Sequence, residues 1–105
     1  MKVKVNNQGY RFFTNYGVFS KKGLDFGTKL LLESLPYEKL KGNILDFGCG
    51  YGPIGIIISK RTKIKVDMID INKRSLKLAE KNALLNKVDV NIFESNIYDN
   101  INKKI

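Results

Sequence analysis

The stretch Asn43-Ile44-Leu45-Asp46-Phe47-Gly48-Cys49-Gly50-Tyr51-Gly52-Pro53-Ile54-Gly55 constrains this chain more than any other. It reads as a short apolar strand running into a glycine-rich turn, then into a helix with proline in its first turn. A strand that stops at such a turn brings bare backbone amides and one carboxylate, Asp46, to the same place. Those groups suit a nucleotide-like ligand.

The rest of the composition narrows the choices. At 105 residues, the chain is one domain or part of one. With 43% hydrophobic and 28% charged residues it can bury a core. Cys49 is the one cysteine, which excludes an internal disulfide framework and fits a reducing compartment. A cytoplasmic location is therefore expected. The absence of histidine removes the commonest general base and the commonest zinc ligand, so no metal site is expected. No apolar run approaches the length of a membrane span. The formal net charge of +9 fits a nucleic-acid partner. It fits equally a chain simply rich in Lys, Asn and Ile, because its basic residues are spread along the sequence and not gathered in a block.

From the start, Val3 and Val5 alternate with Lys2 and Lys4, the period of a half-buried strand. Asn6 to Gly9 reads as a turn and Tyr10 to Thr14 as the returning strand of a hairpin. Asn15 to Gly23 has no helical period and reads as an ordered loop. A helix is predicted from Leu24 to Leu35, with Leu24, Leu31 and Leu35 on its apolar side, Asp25 or Thr28 as cap and Pro36 as stop. The strand Ile44 to Phe47 feeds the turn, and the helix from Pro53 buries Ile54, Ile57 and Ile58. A second strand spans Ile64 to Asp70. Asn72 caps a long helix to about Asn86 with Leu76, Ala79 and Ala83 on one stripe. Val88 to Phe93 alternates as a third strand. The chain thus divides into residues 1–42, a hairpin, loop and helix, and residues 43–105, a βαβαβ unit of a doubly wound α/β sheet.

Two cofactors suit the turn. Gly50, Gly52 and Gly55 match the dinucleotide fingerprint, and Asp70 lies where that fingerprint wants a ribose-binding carboxylate. A nicotinamide-dependent oxidoreductase is one reading. Asp46 argues the other way, since a carboxylate repels a neighbouring pyrophosphate at short range. S-adenosylmethionine carries an ammonium and a sulfonium but no phosphate, so Asp46 favours it. Asp70 serves either cofactor through the two ribose hydroxyls; a helix-capping or surface role is its plainer alternative. Cys49 reads as a small buried side chain, with no histidine to pair with as nucleophile and base.

The two segments Asp46-Phe47-Gly48-Cys49-Gly50-Tyr51-Gly52 and Met68-Ile69-Asp70-Ile71-Asn72 resemble the first two cofactor motifs of class I S-adenosylmethionine-dependent methyltransferases. Upstream, Gly17-Val18-Phe19-Ser20, then Gly23-Leu24-Asp25-Phe26-Gly27-Thr28, then Leu31-Leu32, resemble the "small" methyltransferase domain family. That family includes bacterial enzymes methylating guanine N2 in small-subunit ribosomal RNA. The resemblance covers nearly the whole chain and implies a Rossmann-like methyltransferase fold. It implies that Asp46, Gly48 and Gly50 border the methionine part of the cofactor, with Gly52 shaping the turn. Asp70 would hold the ribose, Ile71 would lie against the adenine and Asn96 would sit near the adenine amino group. Phe19, Ser20 and Thr28 would line the pocket mouth.

One departure stands out. The family carries Asn-Pro-Pro and an aromatic after a fourth strand, to hold the target amino group. Here the only prolines are Pro36 and Pro53, neither after asparagine. The reading is therefore a truncated domain, residues 1–105, whose strand Ile44 to Phe47 becomes a sheet edge that only self-association or further chain would close. On this reading the chain alone binds cofactor weakly and is not catalytically competent. A basic RNA-binding module without catalysis is the remaining alternative.

Overall fold

Two asparagines set the first element. In the computed structural model, which describes residues 1–14 and 23–95, strand β1 (Lys2–Val5) pairs antiparallel with β2 (Gln8–Arg11). The connection is the pair Asn6-Asn7, at φ 49° and 66°. Those are the left-handed conformations of a two-residue hairpin turn, which asparagine tolerates better than most residues. The turn is thus shorter than the four residues expected, because Gln8 and Gly9 already belong to the ladder. Val3, Val5, Tyr10 and Phe12 point inward and are buried. The hairpin tip is fastened by Asn6, whose backbone N–H donates to the Glu33 carboxylate at 3.1 Å.

Helix α1 (Phe26–Ser34) starts at Asp25, whose carboxylate accepts from the Thr28 N–H at 3.1 Å and the Thr28 hydroxyl at 2.6 Å. Its fully buried residue is Leu32, while Leu31, expected on the apolar stripe, stays about half exposed. A nine-residue helix that touches α2 and β1 along one edge buries little more than one position, and its rotation is set by those neighbours. Pro36 stops it as expected, since the residue before a proline is pushed out of the helical region; Leu35 sits at φ −68°, ψ 137°.

The remaining chain alternates β3 (Leu45–Phe47), α2 (Pro53–Thr62), β4 (Asp67–Asp70), α3 (Lys73–Asn86) and β5 (Asn91–Glu94). The strands are parallel in the order β3-β4-β5, with Asp46 beside Met68 and Met68 beside Ile92. Right-handed crossovers that advance in one direction put both connecting helices on the same face. On that face Ile56, Ile57, Val66, Met68, Leu76, Ala79 and Ala83 form one core with the hairpin's Val5 and Phe12. The strands are shorter than the apolar runs that announced them. Ile64 to Val66 and Val88 to Val90 approach the sheet as flanking backbone, yet Val66 is fully buried. Helix α2 buries Ile56 as well as Ile57 and Ile58 and leaves Ile54 only half-buried, because it contacts the sheet, α1 and α3.

On the opposite face Ile69 of the central strand is buried, while Leu45, Phe47 and Phe93 beside it are 56%, 58% and 48% exposed, although parallel sheets are ordinarily covered on both sides. Among the described residues β3 is an edge strand, as the family resemblance implied.

Candidate functional site

The glycine turn follows directly from β3. Gly48, Gly50 and Gly52 stand at φ 69°, 59° and 101°, so the alternation of glycines marks an alternation of left-handed backbone. The turn is laced to β4. Cys49 N–H donates to the Ile69 carbonyl at 2.8 Å, and Gly50 N–H donates to Asp70 Oδ2 at 2.8 Å. Gly52 then occupies the N-cap position of α2, with Pro53 next.

A glycine cap has no side chain to satisfy the first helical amides. Asp46 supplies one from the strand: Gly55 N–H donates to Asp46 Oδ2 at 3.0 Å. A Cβ on Gly55 would come within 3.0 Å of that oxygen and 2.8 Å of the Met68 side chain. The third glycine of the fingerprint is therefore required by close packing of helix on strand. Burial pushes the Asp46 carboxyl above its ordinary range; the Gly55 amide opposes this and the charge of Asp70 adds to it. A buried carboxylate with one backbone donor and, among the described residues, no cation beside it favours a cationic ligand over an anionic one.

Asp70 closes the other side. Its Oδ2 takes the Gly50 amide and its Oδ1 accepts from Asn72 N–H at 2.9 Å. Asn72 in turn caps α3, accepting from the amides of Arg74 and Ser75. The capping alternative for Asp70 is thus half of its role. It orients both the turn and the helix start, and each of its carboxylate oxygens keeps acceptor capacity beyond these bonds. A cleft of about 180 Å³ opens here, at the C-terminal ends of the parallel strands, lined by Phe47, Gly48, Ile69, Asp70, Ile71 and Ser95. That is where open α/β sheets bind ligands.

The structure therefore brings Gly48, Asp70 and Ile71 together in one cleft, with Gly50 fastened to Asp70. Asp46 and Gly52 lie behind the turn, where a Cβ on Gly52 would meet Ile56 and Met68 at 2.9 Å. Thr28 is engaged in the α1 cap. Burial pushes the Tyr51 hydroxyl above its ordinary range, and the charge of Asp25 adds to the shift. Phe19, Ser20 and Asn96 lie outside the described residues, as does most of the loop expected over 15–23. Burial, with the charges of Asp46 and Asp70, pushes the Cys49 thiol up to about 12, which removes it as a nucleophile at neutral pH. No group of three metal-ligating side chains occurs among the described residues.

Sequence reasoning missed Phe47, Ile69 and Ser95 as lining, and it missed Asn82. Asn82 on α3 is fully buried and hydrogen-bonded to both Phe13 and Tyr51. The signal was present: Asn82 falls three residues after Ala79, a polar amide on the apolar stripe.

Residues 9–105 match the family model described as Methyltransferase small domain. The chain belongs to the small methyltransferase domain family. It is 40% identical over 100 residues to the uncharacterized protein YbxB of Bacillus subtilis, across 93% of this chain and 50% of that protein. It is 38% identical over 103 residues to ribosomal RNA small subunit methyltransferase C of Psychromonas ingrahamii, across 97% of this chain and 29% of that one. The chain thus spans half or less of the length of these relatives. Among solved structures, it is similar to a T. thermophilus 16S rRNA methyltransferase (RsmC) in complex with AdoMet and guanosine. That similarity has a TM-score of 0.76 at 25% identity, over 90% of this chain and 27% of that one. The Rossmann-like methyltransferase fold and membership of an S-adenosylmethionine-dependent enzyme family follow. No helix among the described residues is long and apolar enough to cross a membrane.

Proposed function

We propose that this chain is the S-adenosylmethionine-binding part of a cytoplasmic methyltransferase that modifies a base amino group of ribosomal RNA. The observation that carries the cofactor choice is the Asp46–Gly55 hydrogen bond. A dinucleotide places its pyrophosphate on the amides at the start of the helix after the turn. Here one of those amides already holds a buried carboxylate, which repels phosphate and attracts a cation.

S-adenosylmethionine, when bound, supplies a methyl group already activated on a sulfonium. The chain's own residues then have to hold and orient. Asp70 offers its remaining acceptor capacity to the ribose hydroxyls, Ile71 and Phe47 give the apolar wall for the adenine, and Gly48 and Gly50 let the backbone approach the methionine part. Asp46 sits behind them as a negative counter-charge. Phe19, Ser20, Thr28 and Asn96 complete the pocket on this reading.

The RNA substrate is supported by the names of the relatives and by the net charge of +9. The partly exposed sheet face and the β3 edge support a domain completed by further strands and helices, including the Asn-Pro-Pro segment, with closure by a second copy as the competing arrangement. Calorimetric titration with S-adenosylmethionine and with NADH tests the cofactor. Saturable binding of the first alone is expected, and binding of NADH alone would overturn the reading.

A further inference from the structure

Asn82 makes contacts that the stability of α3 does not require. Its Oδ1 accepts from Phe13 N–H at 2.6 Å, and its Nδ2 donates to the Phe13 carbonyl at 3.0 Å and to the Tyr51 carbonyl at 2.8 Å. Phe13 is thus paired at both of its backbone groups, as a neighbouring strand would pair it. The second N–H of the same amide goes to the glycine turn. Asn86, one helical turn later, donates to the Arg11 carbonyl at 2.8 Å and to the Asn82 carbonyl at 2.8 Å. The ring of Phe12 meets that of Tyr51 edge-on, with centroids 5.9 Å apart.

The Tyr51–Gly52 peptide is consequently held at both ends. Its carbonyl is fixed by Asn82, and its N–H donates to the Cys49 carbonyl at 3.0 Å. With Gly50 N–H on Asp70 and Cys49 N–H on the Ile69 carbonyl, the turn is tied both to β4 and, through Asn82, to α3.

We propose that Asn82 is a positioning residue for the cofactor turn, locking the Tyr51–Gly52 peptide and joining it to the N-terminal segment at Phe13. Its effect on affinity rests on the S-adenosylmethionine reading above; its effect on the turn does not. Asn82 touches no ligand and acts through the backbone of Tyr51. Occupancy of the cleft and the placement of Phe13 are then linked through one amide group.

Asn86→Ala is the matched control. It removes a buried amide from the same helix that clamps the same N-terminal segment but does not reach the turn. In the unliganded chain, hydrogen exchange of the Gly50 and Gly52 amides should quicken in Asn82→Ala and stay near wild type in Asn86→Ala. S-adenosylmethionine affinity should fall about tenfold in Asn82→Ala and less than about twofold in Asn86→Ala. Should Asn82→Ala fail to fold, Asn82→Ser keeps a short polar side chain in the buried site while losing the reach that bridges Phe13 and Tyr51. Equal exchange at Gly50 and Gly52 in the two variants would overturn the positioning role, whether or not any cofactor binds. Quickened exchange with unchanged affinity would overturn the link to the cofactor. A wild-type chain that binds no S-adenosylmethionine would instead sink the cofactor reading and leave the exchange result to decide the role of Asn82.

Discussion

Asp46 Oδ2 lies 3.0 Å from the amide nitrogen of Gly55, so a strand residue caps a helix that begins seven residues later. The bond separates two roles that one carboxylate combines. Asp46→Ala removes the cap and should lower stability by about 1–2 kcal/mol. Asp46→Asn keeps an acceptor for Gly55 and removes the charge, so it should fold as well as wild type while losing affinity for S-adenosylmethionine.

The same pair predicts a pH dependence. Burial raises the Asp46 carboxyl in the folded chain above its unfolded value, so the folded state holds the proton more tightly. Its contribution to stability is greatest below the unfolded value and is lost as pH rises through the folded one. Denaturation at a series of acidic pH values should show wild type losing stability relative to Asp46→Asn across that window. A difference that grows with rising pH in favour of wild type would contradict the assignment.

Asp70 should behave differently. It sits at the cleft mouth and holds two amides, Gly50 and Asn72, from two elements. Asp70→Asn retains one acceptor, so the fold should survive with a loss of about 1 kcal/mol, while affinity for S-adenosylmethionine should drop at least about tenfold. Titration calorimetry and thermal melts on the same preparation check both halves.

Cys49 offers a probe of the turn itself. Its thiol is pushed from 9.0 to about 12, chiefly by burial, so at neutral pH its thiolate fraction is roughly a thousandfold below that of an exposed thiol. Alkylation should be slow in the native chain and fast in denaturant. Saturating S-adenosylmethionine should slow the native reaction further, since binding suppresses the openings that expose the sulfur. Mass spectrometry of timed aliquots measures this directly.

The sequence carried much of the architecture because local and global signals agreed. Asn72 capped α3 where expected, and Leu76, Ala79 and Ala83 formed its buried stripe. The parallel pairing followed from the alternation of strands and helices, and the β3 edge among the described residues from the family resemblance. What stayed hidden depended on distance in the chain. Periodicity alone could not tell Leu31 from Leu32, because α1 takes its rotation from α2 and β1. Asp46 was read by its charge, yet its partner is a backbone amide that no side-chain pattern reveals. Asn82 was hidden for the same reason, as its partners are the backbones of Phe13 and Tyr51.

The glycine turn is fastened to β4 through Cys49 and Gly50, on the side of β3 away from the edge that is unpaired among the described residues. The ligand wall is therefore anchored where the sheet is already closed. On the proposed reading, strands joining at that edge would meet a half-site already held in place and could vary in sequence without re-aiming it. A single cofactor cradle built this way can be matched to many different substrate-reading halves.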